Sequence, residues 1–217
     1  MTDAHVTKRL LVIGATGKTG AHVLDLALER GHRVTAFVRS PGKIARKDAA
    51  LTVVPGDPLR SAELAAALAG HDAVVSALGP PPGEAFRPHS VLSEGAASTV
   101  AAMSTAGVRR LVVVSAALLF PGRSLPLTVF RWLLRQHVRD LVAMEAVIQA
   151  TSLDWTIARP PRLVQGPDAG YRSERGALPP GDLVMTFRAV AAFLLDCVEQ
   201  GTHGGEVVGL TRGAGGR

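Results

Sequence analysis

The sequence predicts an α/β protein in three αβα layers, a doubly wound parallel sheet with helices on both faces. Two observations carry this. Short apolar runs alternate along the chain with amphipathic helical patterns, and the first run passes through three glycines spaced by two residues straight into a helical pattern. The first strand is Leu10-Leu-Val-Ile13. Ala21 to Arg30 then places Val23, Leu24, Ala27 and Leu28 on one helical face, and Gly31-His32 stops that helix before a second strand, Arg33 to Val38. Further apolar runs at Leu51 to Val54, Asp72 to Leu78, Arg110 to Ser115 and Asp154 to Ala158 read as strands. Between them, Ser61 to Ala69, His89 to Ala106 and His137 to Ala150 read as helices. A helix from Phe187 to Glu199 and a strand from Gly205 to Leu210 complete the alternation, and Gly213 to Arg217 reads as a frayed tail. No internal repeat is present. The irregular stretches 79–88, 120–128 and 163–182 follow strand ends, where open α/β sheets take their ligands, and are expected to hold the substrate.

A chain of 217 residues with 47% hydrophobic content can bury one sizeable core, so residues 1–217 are expected to form a single domain. The net charge of +6 raises the question of a nucleic acid partner. The arginines are scattered, however, and six Phe, two Trp and one Tyr offer few stacking platforms, so no nucleic acid partner is expected. The charge reads instead as solubility together with attraction for anionic cofactors and substrates. The lone Cys197 lies in an apolar helical pattern and reads as a packed core thiol, in keeping with a reducing cytoplasm. Met1 to Arg9 is short and polar, and no apolar run approaches the roughly 18 residues that span a bilayer, so neither secretion nor a membrane partner is expected. No metal site is assigned.

The glycines give the sheet a Rossmann-type reading. Gly14 permits the tight turn off the strand, Gly17 lets the backbone approach a pyrophosphate, and Gly20 lets the helix pack closely on the sheet. The free N–H groups at the helix start point at those phosphates. At the end of the second strand, where an NAD-binding chain usually carries an acid for the ribose hydroxyls, this chain reads Val38-Arg39-Ser-Pro-Gly-Lys43. Arg39 and Lys43 can surround a 2′-phosphate, which favours NADP(H), although a solvated basic loop would look the same. Asp57 is placed either to touch an adenine edge or to cap the next helix. Leu78-Gly79 ends the fourth strand, where a small residue lets a ribose approach the backbone.

Taken in order, these residues resemble the NAD(P)H-binding atypical short-chain dehydrogenases/reductases of the biliverdin reductase B, or NADPH flavin reductase, kind. NmrA-like proteins are more distant relatives. The resemblance rests on Gly14-Ala-Thr-Gly-Lys-Thr-Gly20, Phe37-Val-Arg39, Gly56-Asp57, Leu78-Gly79, Leu92-Ser-Glu-Gly-Ala96, Val100-Ala-Ala-Met103 and Gly107-Val108. It continues through Val112-Val-Val-Ser115-Ala116 and Arg159-Pro-Pro161, nearly the whole chain. It implies cofactor contacts from Gly14, Thr16, Gly17, Lys18, Thr19, Arg39, Lys43, Asp57, Leu78, Gly79, Ser115, Pro160 and Pro161, with Ser115 beside the nicotinamide.

Two departures bear on chemistry. Short-chain dehydrogenases use a Tyr-x-x-x-Lys pair, in which the lysine lowers the tyrosine pKa for carbonyl reduction. Here that spacing holds His137 and Leu141, and the one tyrosine is Tyr171 in a loop. His137 reads either as a proton donor or as a surface or capping histidine, and Tyr171 either closes over a substrate or anchors its own loop. After Pro160-Pro161, where biliverdin reductase B-like proteins carry a histidine, stands Arg162. Arginine stays protonated, so it can hold an anionic acceptor but cannot act as an ordinary acid; a structural salt bridge is the alternative. The expectation is an NADPH-dependent oxidoreductase passing hydride to FMN or a similar conjugated aromatic acceptor, a biliverdin-like tetrapyrrole or a quinone. Ser115 and Arg162 would stand at the reacting end, in a monomer or weak homodimer. The alternative is an NmrA-like protein that senses NADP(H) without turnover.

Overall fold

The side chains of the first strand, β1 (Arg9–Ile13), divide by parity, as the two-residue period of a strand requires. Leu10 and Val12 join a hydrophobic cluster on one face of the sheet, and Leu11 and Ile13 join a second cluster on the other. A computed structural model describes residues 6–80, 90–122, 125–167 and 170–213. After β1 come α1 (Lys18–Glu29), β2 (Arg33–Val38), β3 (Leu51–Pro55), α2 (Ser61–Ala67), β4 (Ala73–Ser76) and α3 (Val91–Ala106). The chain continues with β5 (Arg110–Val114), α4 (Leu125–Leu133), α5 (Arg135–Gln149), β6 (Asp154–Arg159), β7 (Arg162–Val164) and β8 (Tyr171–Arg175). It closes with β9 (Val184–Thr186), α6 (Phe187–Gln200) and β10 (Glu206–Arg212).

Eight strands form the main sheet in the order β3-β2-β1-β4-β5-β6-β10-β8, and β7 pairs with β9 in a small second sheet. Strands β1 to β6 and β10 run parallel, and β8 lies antiparallel to β10 at the edge. The first cluster is covered by α1 and α6 through Val23, Leu24, Ala27, Val190, Phe193 and Leu194. The second is covered by α2, α3 and α5 through Leu64, Met103, Met144 and Ile148. This is the three-layer Rossmann-type arrangement that the alternating pattern predicts.

The differences fall in the stretches read as irregular. Helix α4 begins inside 120–128, because proline fits the first helical turn, where its missing N–H costs nothing, and Pro126 is the helix's second residue. Strands β7, β8 and β9 occupy parts of the segment 162–186. The sequence of β8, Tyr-Arg-Ser-Glu-Arg, has no apolar alternation because it is an edge strand whose last four residues face solvent. Residues 81–88 of the first expected substrate loop, His89 at the expected start of α3, and residues 214–217 of the expected tail lie outside the described residues.

The start of α3 is completed from a distant helix. Its capping residue, Ser90, makes no side-chain cap bond. Instead Asp140 of α5, only 4% exposed, accepts the N–H groups of Leu92 and Ser93, each at 2.9 Å, and also the Ser93 hydroxyl. A carboxylate at a helix N-terminus both satisfies orphan donors and opposes the helix dipole. Asp140→Ala should therefore lower unfolding free energy by about 2 kcal/mol, read as a shifted urea midpoint. A midpoint unchanged from the parent would show that water replaces the carboxylate at no cost.

Candidate functional site

The order of the main sheet reverses beside β1, whose neighbour β4 starts the second half of the winding. Ligands in open α/β sheets lie in the crevice at that point, outside the strand ends. Gly14 leaves β1 at φ +80°, in the left-handed region, and a Cβ on it would fall 2.5 Å from the Ala77 carbonyl oxygen just beyond β4. Gly20 in the first turns of α1 packs against the same bend, and its Cβ would fall 2.1 Å from the Gly14 oxygen. Between them the Gly17 N–H donates to the Gly14 carbonyl at 2.9 Å, and Gly17 starts α1 with no side-chain cap. The first N–H groups of the helix thus have no capping side chain and face the turn.

This turn forms one wall of a cleft of about 580 Å³. Nine of the residues expected to touch the cofactor line it: Gly14, Thr16, Gly17, Lys18, Thr19, Arg39, Lys43, Leu78 and Gly79. Phe37, Val38, Pro58, Ala77, Pro80 and Phe187 complete the lining. Among the described residues the cleft presents the cations Lys18, Arg39 and Lys43 and no carboxylate, a balance suited to a ligand with several phosphate charges. Arg39 directly follows β2, Lys43 ends the single turn of tight helix Pro41–Lys43, and both line the cleft. Lys18 lies 5.6 Å above the Phe187 ring, so a residue of α6 steadies the base of the site. No local pattern marked Phe187, which reaches the cleft from far along the chain. Among the described residues, and apart from its chain neighbours, Gly79 has no atom within 4 Å of a built Cβ, so its missing side chain leaves space at the cleft wall.

The remaining expected residues stand outside that lining. Asp57 accepts the Leu59 N–H at 3.0 Å and its own N–H goes to Glu63, so it organises the turn into α2 while its neighbour Pro58 faces the cleft. Ser115, one residue past β5 and 7% exposed, donates its hydroxyl to Glu145 at 2.5 Å. Glu145 is 3% exposed and receives both the Nε of Arg159, at 2.9 Å, and its Nη2, at 2.5 Å. The Arg159 guanidinium lies 4.7 Å above the Phe120 ring. A buried carboxylate needs such a paired and hydrogen-bonded partner to remain in the interior. Glu145 follows His137 and Leu141 at four-residue steps on α5. That spacing was a readable signal for a third residue on the same helical face, although its partner Arg159 is set only by the pairing of β5 with β6.

Pro160 is buried and gives its carbonyl to the Ala117 N–H at 2.8 Å, which ties the ends of β5 and β6 together; Pro161 is half-buried. Arg162 is exposed on β7, its N–H bonded to the Leu183 carbonyl. His137 is half-buried on α5, and Leu141 is packed in the core at 3% exposure. Tyr171 anchors its own strand: its hydroxyl donates to Asp196 at 2.5 Å and its ring meets Phe193 edge-on at 5.2 Å. Burial, aided by the Asp196 carboxylate, raises the Tyr171 pKa, which further removes it from proton transfer. Burial likewise pushes the Cys197 thiol up to about 12, as expected of a packed core cysteine.

A Rossmann-type sheet with a cation-lined glycine cradle at its switch point defines a dinucleotide-binding protein. Residues 14–201 match the NAD(P)H-binding family, and the chain belongs to it, as the resemblance to atypical short-chain reductases implies. An uncharacterized chloroplastic protein of Arabidopsis thaliana is 32% identical over 77% of this chain. The photosystem II assembly factor Ycf39 of Synechocystis is 28% identical over 73% of it. The chain spans 64% and 46% of the lengths of these two relatives. A Rossmann-fold NAD(P)-binding family protein from Shigella flexneri, 28% identical, superposes with a TM-score of 0.72 over 98% of both chains.

The glycines separate fold from binding. Gly20→Ala should destabilise the protein by about 3 kcal/mol because backbone must move to admit the methyl group. Gly79→Ala should leave stability within about 0.5 kcal/mol of the parent while weakening NADPH binding. Thermal denaturation with and without NADPH reads both, and equal stability of the two variants would contradict the packing described.

Proposed function

We propose that the protein is an NADPH-dependent oxidoreductase that delivers hydride to a flavin such as FMN, or to a similar conjugated aromatic acceptor. The observation that carries this reading is the cleft whose described lining holds three cations and no carboxylate, with Arg39 and Lys43 both drawn from the segment that follows β2. The residues present fit the cofactor: the Gly14 bend and the start of α1 would hold the pyrophosphate, and Arg39 and Lys43 the 2′-phosphate. When bound, the reduced nicotinamide supplies the hydride.

The rest of the site limits what can accept it. Helix α5 presents His137, Leu141 and Glu145 at successive turns, so the face that would carry a Tyr–Lys pair carries a core leucine and an ion-paired carboxylate instead. Carbonyl reduction needs a positioned acid for the alkoxide oxygen. A conjugated ring delocalises the incoming charge, and water can complete its protonation, so such an acceptor places little demand on a protein acid. Ser115, whose hydroxyl proton is directed at Glu145, keeps its lone pairs for an N–H of the carboxamide or of the acceptor. Pro160 and Pro161 would border the same end of the site, and exposed Arg162 would hold the acceptor's anionic groups.

A second reading is a regulatory protein that binds NADP(H) without turnover. It is favoured by the engagement of Ser115 with Glu145 and by the assembly factor among the relatives. Turnover decides between the two. NADPH oxidation should be saturable in FMN above the free-flavin background and faster than with NADH. Tight NADPH binding with no reduction of FMN, quinones or tetrapyrroles would favour the second reading.

Two substitutions test the assigned roles. Arg39→Asp should weaken NADPH binding by about 10- to 100-fold and NADH binding far less, as measured by calorimetry; equal losses would remove the 2′-phosphate assignment. Arg162→Ala should raise KM for FMN more than for uncharged riboflavin, and an identical change for both would remove its anion-holding role.

A further inference from the structure

Helix α4 turns its apolar side outward. Val129, Phe130, Trp132 and Leu133 are 49, 51, 63 and 48% exposed. At about 100° per residue they cover an arc of roughly 160° on one side of the helix. Among the described side chains of α4, a charged one bonds to the protein body: Arg131 donates from Nε to the Leu118 carbonyl and from Nη1 to the Gly122 carbonyl, both at 2.9 Å, and from Nη2 to the Phe120 carbonyl. A surface helix ordinarily does the reverse. The arginine thus pins α4 to the segment following β5, with its hydrophobic face directed at solvent. Four neighbouring large apolar side chains at this exposure mark an interaction surface.

We infer that this face lies in the headgroup and upper acyl region of an anionic lipid bilayer, with α4 parallel to the surface. Charge selects the occupant. The sequence carries no Asp or Glu between Glu94 and Asp140, and Asp140 is buried against α3. The exposed polar residues that continue from α4 into α5 include Arg135 and Arg139, and the chain as a whole carries +6. The Arg135 guanidinium sits 5.3 Å from the Trp132 ring centroid, so an aromatic ring and a cation share the border of the apolar face. Interfacial helices combine these features, with Trp, Phe and Leu toward the acyl chains and arginines at the headgroups. A second copy meeting the same face across a two-fold axis would bring Arg135 and Arg139 of both copies to one interface, with no acid from this segment to pair them. Among the described residues no helix is long and apolar enough to cross a membrane, and the proposed contact is adsorption at its surface.

The test is sedimentation of the purified full chain with vesicles of phosphatidylcholine alone and of phosphatidylcholine containing phosphatidylglycerol. The expected result is binding to the anionic vesicles that falls with added salt, together with a blue shift of tryptophan emission. Phe130→Ala combined with Trp132→Ala should reduce partitioning by at least about tenfold. Arg135→Gln combined with Arg139→Gln should reduce it by about tenfold on anionic vesicles. Far-UV circular dichroism checks that the variants fold. Quenching of the parent by brominated acyl chains reads insertion without mutation, and the Trp132→Phe variant separates its signal from that of Trp155, the other tryptophan. No binding to either vesicle, or binding that both double variants leave intact, would overturn the proposal. Retention on polyglutamate without vesicle binding would assign the face to an acidic protein, and a concentration-dependent dimer broken by the Phe130/Trp132 variant without vesicle binding would assign it to a second copy. Either overturns the lipid proposal.

Discussion

Three stretches of main chain meet at the end of β1 with no room for a side chain between them. A Cβ on Gly14 would enter the Ala77 carbonyl and one on Gly20 would enter the Gly14 carbonyl, so strand end, bend and helix are held at backbone contact. The cleft follows from that contact. Because α1 starts so close to the sheet, its first N–H groups and Lys18 face the same space as Arg39 and Lys43, which arrive from the next strand. Lys18 opens α1, Arg39 directly follows β2 and Lys43 ends a single tight turn, so the three cations converge on the cleft from short, ordered pieces of chain.

The opposite end of the row of strand ends has a different character. There the interior holds Ser115, Glu145 and Arg159 in one connected set, each buried or nearly so, with the guanidinium shielded by Phe120. Breaking such a set leaves an uncompensated buried charge, which costs more than the set itself contributes to stability. Its effect is directional. Glu145 fixes where the Ser115 hydroxyl points, and the carbonyl of Pro160 fixes how the β5 and β6 ends lie against each other. The cation-lined cleft at one end thus contrasts with a buried, mutually paired set of polar groups at the other.

The elements that were legible in the sequence were those whose physics is local. Strand β2 runs from Arg33 to Val38 as the alternation predicts, and α6 begins at Phe187 because Thr186 caps it through the Ala189 N–H. The glycine bend was legible because few residues other than glycine tolerate that turn and that proximity. Glu145 with Arg159, Asp140 with Ser93, and Phe187 with Lys18 were not, since each pair is assembled by the sheet order from distant segments. Helix α4 and strand β8 were obscured for another reason: one shows its apolar residues to solvent and the other is an exposed edge, so neither displays the inward pattern by which elements are recognised. Tyr171 looked available in the sequence, and its commitment to Asp196 became visible only with β8 placed against β10.

The capping of α3 by Asp140 also bears on how the chain assembles. The carboxylate lies 48 residues after the first N–H it accepts. During synthesis the start of α3 emerges well before its cap, and until α5 docks its leading amides can be satisfied only by water. The beginning of that helix therefore waits for a segment made much later, although the strand before it belongs to the first half of the sheet. A nascent chain that has formed its first four strands still lacks the contact that closes the helix following them.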